Sequence, residues 1–291
     1  RNLASSSLVT VGNNDQLTSL KLANFAIEAE FLKNLIIRSD MSYRTLKSAS
    51  PTFNLDYFTD FSQTEIASEV KQTEFVLSAI FEPGKRTSGY GVERTTSNEW
   101  FPTLFLGYTK GVEGLFDSDF DYEKLQFSYR QPWRMGGLGT FSSTIEAGKT
   151  FGEVPLGLLS VIPGNQNLFS IYGTFPQLNY YEFVTDTYAT LHLEHNFGGR
   201  LFGKIPLLKK LNLREIIGFR GAWGEISNEN QLINASNIRY IAPDSKPYYE
   251  YSFGVGNILK ILRIDFNFRG NYLDVPDARK FGVTGALEFS F

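Results

Sequence analysis

Apolar and polar side chains alternate along most of the chain with a period of two. In LRIDFNFRGNY (262–272), Leu262, Ile264, Phe266, Phe268 and Tyr272 share one parity, and Arg263, Asp265, Asn267, Arg269 and Asn271 share the other. Successive side chains of a strand point to opposite faces, so this pattern predicts a β-strand with one apolar and one charged face. The same alternation marks FAIEAEF (25–31), IRSDMSYRTL (37–46), EFVLSAIF (74–81), PTLFLGYTKG (102–111) and KLQFSYRQ (124–131). It continues through strands placed at 138–151 and 180–197, then LNLREIIGFRGAWG (211–224), YEYSFGVG (249–256) and FGVTGALEFSF (281–291). With LASSSLVTV (3–11) at the start, about 12 strands are predicted. Helical periodicity is absent.

The connections differ in length. GNILK and WRMGGLG are short, whereas FGEVPLGLLSVIPGNQNLFSIYGTFPQ (151–177) and EISNENQLINASNIRYIAPDSKP (225–247) are long. Short turns at one end and long loops at the other are the asymmetry of outer-membrane barrels. Two long connections, GKRTSGYGVERTTSNEW and GGRLFGKIPLLKK, fall by parity on the short-turn side and blur it. Most predicted strands run to about 10 residues, the length a tilted membrane-spanning strand needs, whereas soluble strands are nearer five or six. The predicted fold is therefore an all-β, antiparallel transmembrane barrel, with the apolar faces (Phe266, Phe268, Phe289, Phe291) toward lipid and the charged faces lining a lumen.

Composition sharpens this. The 291 residues include 26 Phe, 15 Tyr and 26 Gly but no Cys, and the net charge is −3. Without cysteine there is neither a disulfide framework nor a thiolate metal site. The slightly acidic balance argues against a nucleic-acid partner. No apolar run approaches the roughly 18 residues of a transmembrane helix.

The ordered segments PGNQNLF, YYEFVTDTYATLHLEHNFGGRLFGKIPLLKKLNLREIIGFRGAWG, EYSFGVGNILKILRIDFNFRGNY and KFGVTGALEFSF resemble the barrel of certain uncharacterised outer-membrane proteins. Those proteins carry an N-terminal carboxypeptidase-regulatory-like domain and lie near the BamA-like superfamily of insertases and translocators. The resemblance is best over residues 120–291. It implies a bacterial outer-membrane location, a lipid environment, and a role in outer-membrane protein biogenesis or translocation, alone or within a larger outer-membrane or periplasmic assembly. Superfamily barrels usually have about 16 strands, so residues 1–291 are expected to form one barrel domain from the C-terminal part of a longer protein. The resemblance also implies that the long loop folds into the lumen, with its tip at Pro163, Gly164, Asn165, Gln166, Asn167, Leu168 and Phe169. The superfamily tip carries Arg-Gly-Phe, and this one has no arginine. GFRGAWG has Arg220 where an acidic residue is common. Both differ from the superfamily pattern while supporting the fold.

The lumen-facing charges have both signs: Glu28, Glu30, Arg38, Asp40 and Arg44 early, then Asp186, Glu194, Arg214, Arg220, Glu250, Arg263, Asp265, Arg269 and Glu288. A mixed set reads as a structural network that anchors an inserted loop, with Glu250 near Arg263 or Arg269, because a conduction path favours one sign. The two histidines, His192 and His195, fall on opposite faces of one strand and cannot share a metal. No activated serine accompanies His192, so a hydrolase ranks last and the chain is read as neither an enzyme nor a cofactor protein. A passive pore or structural barrel subunit is the alternative. The apolar VPLGLLSVIPG in the long loop makes it the best functional candidate. Glycines within strands, such as Gly218, Gly221 and Gly254, are expected to allow bulges or close approach of the loop backbone.

Overall fold

The computed structural model describes residues 18–50, 52–60, 62–89 and 94–288. Eleven strands form one antiparallel sheet in sequence order. They are β1 (Thr18–Leu32), β2 (Leu35–Ser48), β3 (Glu69–Phe81), β4 (Thr103–Gly111), β5 (Tyr122–Arg134), β6 (Thr140–Phe151), β7 (Thr187–Asn196), β8 (Arg214–Glu225), β9 (Tyr248–Ile258), β10 (Leu262–Arg269) and β11 (Phe281–Leu287). Each of the eleven coincides with an alternating segment of the sequence. The predicted strand at 3–11, and Phe289 and Phe291, lie outside the described residues. Among those described, β1 and β11 are the two edges of the sheet.

The sidedness is the reverse of a soluble sheet. On β9, Glu250 and Ser252 are buried while Tyr249, Tyr251 and Phe253 are exposed. On β10 the buried positions are Arg263, Asp265, Asn267 and Arg269. Register carries this across neighbours: Glu250 faces Arg269, and Tyr251 faces Phe268. The apolar face thus lies outward, and the polar face lies inward beneath the long connections. Aromatic rings cluster on the outer face near both strand ends. Trp133 stacks on Phe141 (5.3 Å between centroids) at the short-turn end, and Tyr251 stacks on Phe268 (5.3 Å). Trp133 and Tyr251, apolar in body and polar at the tip, suit the two boundaries of a membrane. Among the described residues, no helix is long and apolar enough to cross a membrane.

Two expected boundaries are corrected. The strand placed at 180–197 starts only at Thr187. Tyr181 has a left-handed backbone (φ 56°), Phe183 is fully buried, and Val184–Thr185 pair with Ser160–Val161 of the long loop. The alternation of 181–185 is therefore that of a loop ribbon, which also has period two. At the other end of β10, Arg269 is the last strand residue, and Tyr272 (φ 54°) turns inward to pack on Phe183 and Tyr248.

The expectation for Gly218 and Gly254 is corrected as well. A side chain at Gly254 would collide with Asp265, and one at Gly218 with the Ser252 hydroxyl. They make room for cross-strand polar neighbours rather than for the loop backbone.

Candidate functional site: a loop latched to the inner wall

The 152–186 connection enters the interior at Gly152, whose φ of 102° turns the chain inward from β6. Residues 154–158 then alternate, and Val154, Leu156 and Leu158 are all buried. They pack with Phe53, Leu55 and Tyr57 of the 49–68 connection and with Val70 and Tyr122 of the wall. A β-like period in a segment that has no strand partner among the described residues thus fills a small core at the long-loop end. Its backbone is satisfied by side chains: Asn230 accepts from the Val154 amide (2.9 Å), Asn234 from Leu156 (2.6 Å), and Lys124 donates to the Leu158 carbonyl (3.0 Å). Buried backbone groups must find such partners, so these contacts fix the loop's path. Tyr57 lies in the same core, where burial and the neighbouring Asp119 carboxylate push its hydroxyl pKa up.

Asp186, at the loop's exit, accepts from the Ser227 amide (2.7 Å), the Asn230 side chain (3.0 Å) and the Thr187 hydroxyl (3.0 Å). Burial opposes its charge, but these hydrogen bonds hold its pKa below the usual carboxylate value. Asp186 therefore ties two long connections together and stands apart from the other lumen charges.

Residues 163–169 form the innermost turn. Phe175 and Pro163 exchange backbone contacts with the tip (Phe175 amide to Pro163 carbonyl, 2.8 Å; Asn165 amide to Phe175 carbonyl, 3.0 Å). The Asn165 side chain receives the Asn167 amide (2.8 Å) and donates to the Phe169 carbonyl (2.9 Å). Arg279 closes the turn from the β10–β11 connection by donating to the carbonyls of Asn165 (2.9 Å) and Leu178 (2.5 Å). Burial lowers the pKa of this guanidinium, which nevertheless stays charged because arginine starts so high.

Three contacts latch the loop to the last strands. The Gln177 amide donates to Glu250 (2.9 Å). Arg269 binds Glu182 (2.6 Å) and the Gln177 carbonyl (3.3 Å). The tip itself reaches the outer edge of β11: Gly285 donates to Leu168 (2.7 Å) and accepts from Ser170 (2.8 Å), a parallel bridge centred on Phe169 and Gly285. Alternate residues of β11 turn their backbone groups away from β10, and those of Gly285 are taken by the loop. On the opposite wall, Tyr172 shares a hydrogen bond with Thr144 (2.7 Å) beneath Arg130 (5.2 Å), and Phe175 packs on His192 (4.9 Å).

The predicted charges divide into separate groups. Arg263 binds Glu194 (2.6 Å), Asp265 (2.9 Å) and Glu288 (3.2 Å) in the half nearer the short turns. Arg269 binds Glu182, while Glu250 takes the Gln177 amide and the Tyr248 hydroxyl (2.5 Å). Arg220 lies beside Asn267 (3.4 Å). Arg214 sits at the short-turn mouth, outside these clusters. On the early strands, Arg38 pairs with Asp40 (2.7 Å) and Glu28 (3.6 Å), and Arg44 joins Glu74. His195 lies in the outer aromatic belt against Phe197 (4.2 Å), on the face opposite His192. Glu182, Gln177, Arg279 and Gly285 were not singled out from the sequence. Glu182 was hidden by its strand-like neighbours, and backbone partners such as Gly285 leave no side-chain signal. Among the described residues, no group of acidic or histidine side chains could hold a metal ion. Short of the loop, a cavity of about 460 Å³ opens among Arg130, Ser142, Glu194, Asn196 and Trp100.

An antiparallel barrel wall, apolar outside and carrying a loop latched across its inner face, defines the class of outer-membrane β-barrels. Residues 9–255 match the model of the C-terminal domain of a family of unknown function, DUF5686, and the chain belongs to that family. Among solved structures it is similar to BamA from Haemophilus ducreyi lacking POTRA domains 1–3, with a TM-score of 0.54 at 10% identity over 93% of this chain and 55% of that one. The chain thus spans about half the length of that BamA structure, and the likeness is one of fold. It also aligns with OccK11 (OpdR) of Pseudomonas aeruginosa, at 10% identity over 98% of this chain and 76% of that one, with a TM-score of only 0.33. No curated protein matches the sequence.

Proposed function

We propose that the chain forms barrel wall in the bacterial outer membrane and acts in the insertion or translocation of other outer-membrane proteins. The observation that carries this reading is the bridge between the loop tip and Gly285. An unpaired strand edge is a template for another strand. Here an interior loop holds backbone groups of that edge, so its release would present them to an incoming strand. The β11 strand is also the shortest of the eleven and contains two glycines, Gly282 and Gly285, which suits pairing that can exchange. Mixed charges on the inner wall and a loop that fills the long-loop end favour this over a passive pore. The cavity among Arg130, Glu194 and Trp100 is the feature that a pore reading would build on.

The test is to supply a urea-unfolded barrel protein to liposomes that contain the full chain. Folding of the client should be faster than in empty liposomes. A Phe169→Cys/Gly285→Cys variant, whose bridged positions lie within disulfide reach, should lose the acceleration when oxidised and regain it on reduction. Steady single-channel conductance without any acceleration would replace the proposal with the pore.

A further inference from the structure

The long connection 197–213, between β7 and β8, lies at the short-turn end and takes no part in the latched loop. It folds outward. Phe202 packs edge-on against Phe253 on the apolar outer face of β9 (6.4 Å). It also covers Glu215, an outward-facing carboxylate that is only 1% exposed, and the Leu201 amide is bonded to that side chain. The segment therefore forms a shelf on the outer rim, where the apolar wall meets the aqueous side.

Its composition is one-sided. From Gly198 to Arg214 there are five cations (Arg200, Lys204, Lys209, Lys210, Arg214) and no acidic residue. The neighbouring β9–β10 turn adds Lys260. Between the two segments lies a cavity of about 500 Å³, and Gly198, Gly199, Gly203, Lys209, Arg214 and Lys260 are among the residues that line it. Among the described residues, none of these three cations enters an ion pair; Glu288, which flanks Gly256 together with Arg214, is already bound by Arg263. Beside the cations, Leu207 is 75% and Leu259 86% exposed. Leucines held out beside clustered lysines are the composition of a surface that sinks its apolar residues to the acyl boundary and keeps its cations among phosphates.

We propose that this shelf binds an anionic phospholipid, with the headgroup phosphate held by Lys209 and Lys260 and the acyl chains beside Leu207, Leu259 and the outer face of β9. The inference rests on the membrane-barrel reading above. It gives a reason for a long connection on the side where barrels keep short turns: the segment anchors the rim to the lipid surface.

The test is native mass spectrometry of the full chain in detergent, supplied with phosphatidylglycerol or with phosphatidylcholine of the same acyl chains. The protein should retain the anionic lipid selectively. The Lys209→Gln/Lys260→Gln variant should bind it about thirtyfold more weakly, since each basic residue near an anionic surface contributes about a fivefold change. Equal retention of the two lipids, or unchanged binding by the variant, would overturn the proposal. Displacement of the lipid by inorganic phosphate or by glycerol phosphate alone would reassign the cavity to a soluble anion, and displacement by hexaglutamate to an acidic protein segment; either overturns it too. Heat-modifiable gel migration in purely zwitterionic bilayers reports the barrel independently. Its loss defeats the membrane reading, whereas its presence without lipid selectivity defeats only this proposal.

Discussion

Replacing Arg269 with methionine should unlatch the long loop without removing the barrel wall. The Arg269 side chain is fully buried and that of Glu182 is 6% exposed, with 2.6 Å between the bonded atoms. Solvent screening therefore does little to weaken the pair. Methionine keeps most of the side chain's packing volume but leaves the Glu182 carboxylate buried without its cation, a change that costs about 3–5 kcal/mol. The loss falls on opening of the loop, because Glu182 belongs to the loop and Arg269 to β10. The assay is amide hydrogen exchange over residues 174–185 in the reconstituted protein. At a factor of ten per 1.4 kcal/mol, exchange there should accelerate by roughly a hundred- to a few-thousandfold. Amides of β5 and β6 should be unaffected. Adding Glu182→Leu should restore most of the protection, since an apolar pair of similar volume can replace a buried ion pair. Exchange within about threefold of the parent in the single variant would refute the assignment of Arg269 as the latch.

Two further predictions concern the loops and turns. Because hydrogen bonds hold the folded pKa of Asp186 below its unfolded value, its contribution to stability is complete above the unfolded value and disappears as pH falls through the folded one. Proteolysis of the long-loop cap should therefore rise in acid, and Asp186→Asn, which gives up about 1.5–3 kcal/mol of charge-assisted bonding, should raise proteolysis at neutral pH and flatten its rise in acid. Unchanged pH dependence in the variant would refute it. Gly139, in the β5–β6 turn, has a φ of 92°, and a side chain there would meet the Asn196 carbonyl. Gly139→Ala should lower the unfolding temperature of the barrel by gel shift, with a cost of about 1–3 kcal/mol, whereas Gly136→Ala, which meets nothing within 4 Å, should cost less.

Much of the wall is legible in the sequence, because alternation with a fixed period specifies which side chains share a face. The parity of Arg263, Asp265, Asn267 and Arg269 is read directly, and all four are buried. Their choice of partners is not. Strand register alone would pair Arg269 with Glu250, but the inserted loop delivers Glu182 to Arg269 and a backbone amide to Glu250. Such partners depend on where a loop of irregular backbone lies, and no periodicity encodes that. The same limit explains Tyr181 to Thr185, where a loop ribbon and a transmembrane strand share one pattern. The connection at 197–213 is read from the sequence only as a long segment on the short-turn side. Its side of the wall is set by the packing of Phe202 on Phe253, which sequence spacing does not carry.

The central claim, that the apolar face meets lipid while the charged face is enclosed, is tested most directly by a spin-label scan along β10. The absence of native cysteine makes single substitutions from Leu262 to Arg269 clean. In bilayers, oxygen accessibility should oscillate with a period of two and peak at Ile264, Phe266 and Phe268, with minima at Arg263, Asp265 and Asn267. A flat profile, or one with the opposite phase, would contradict the account.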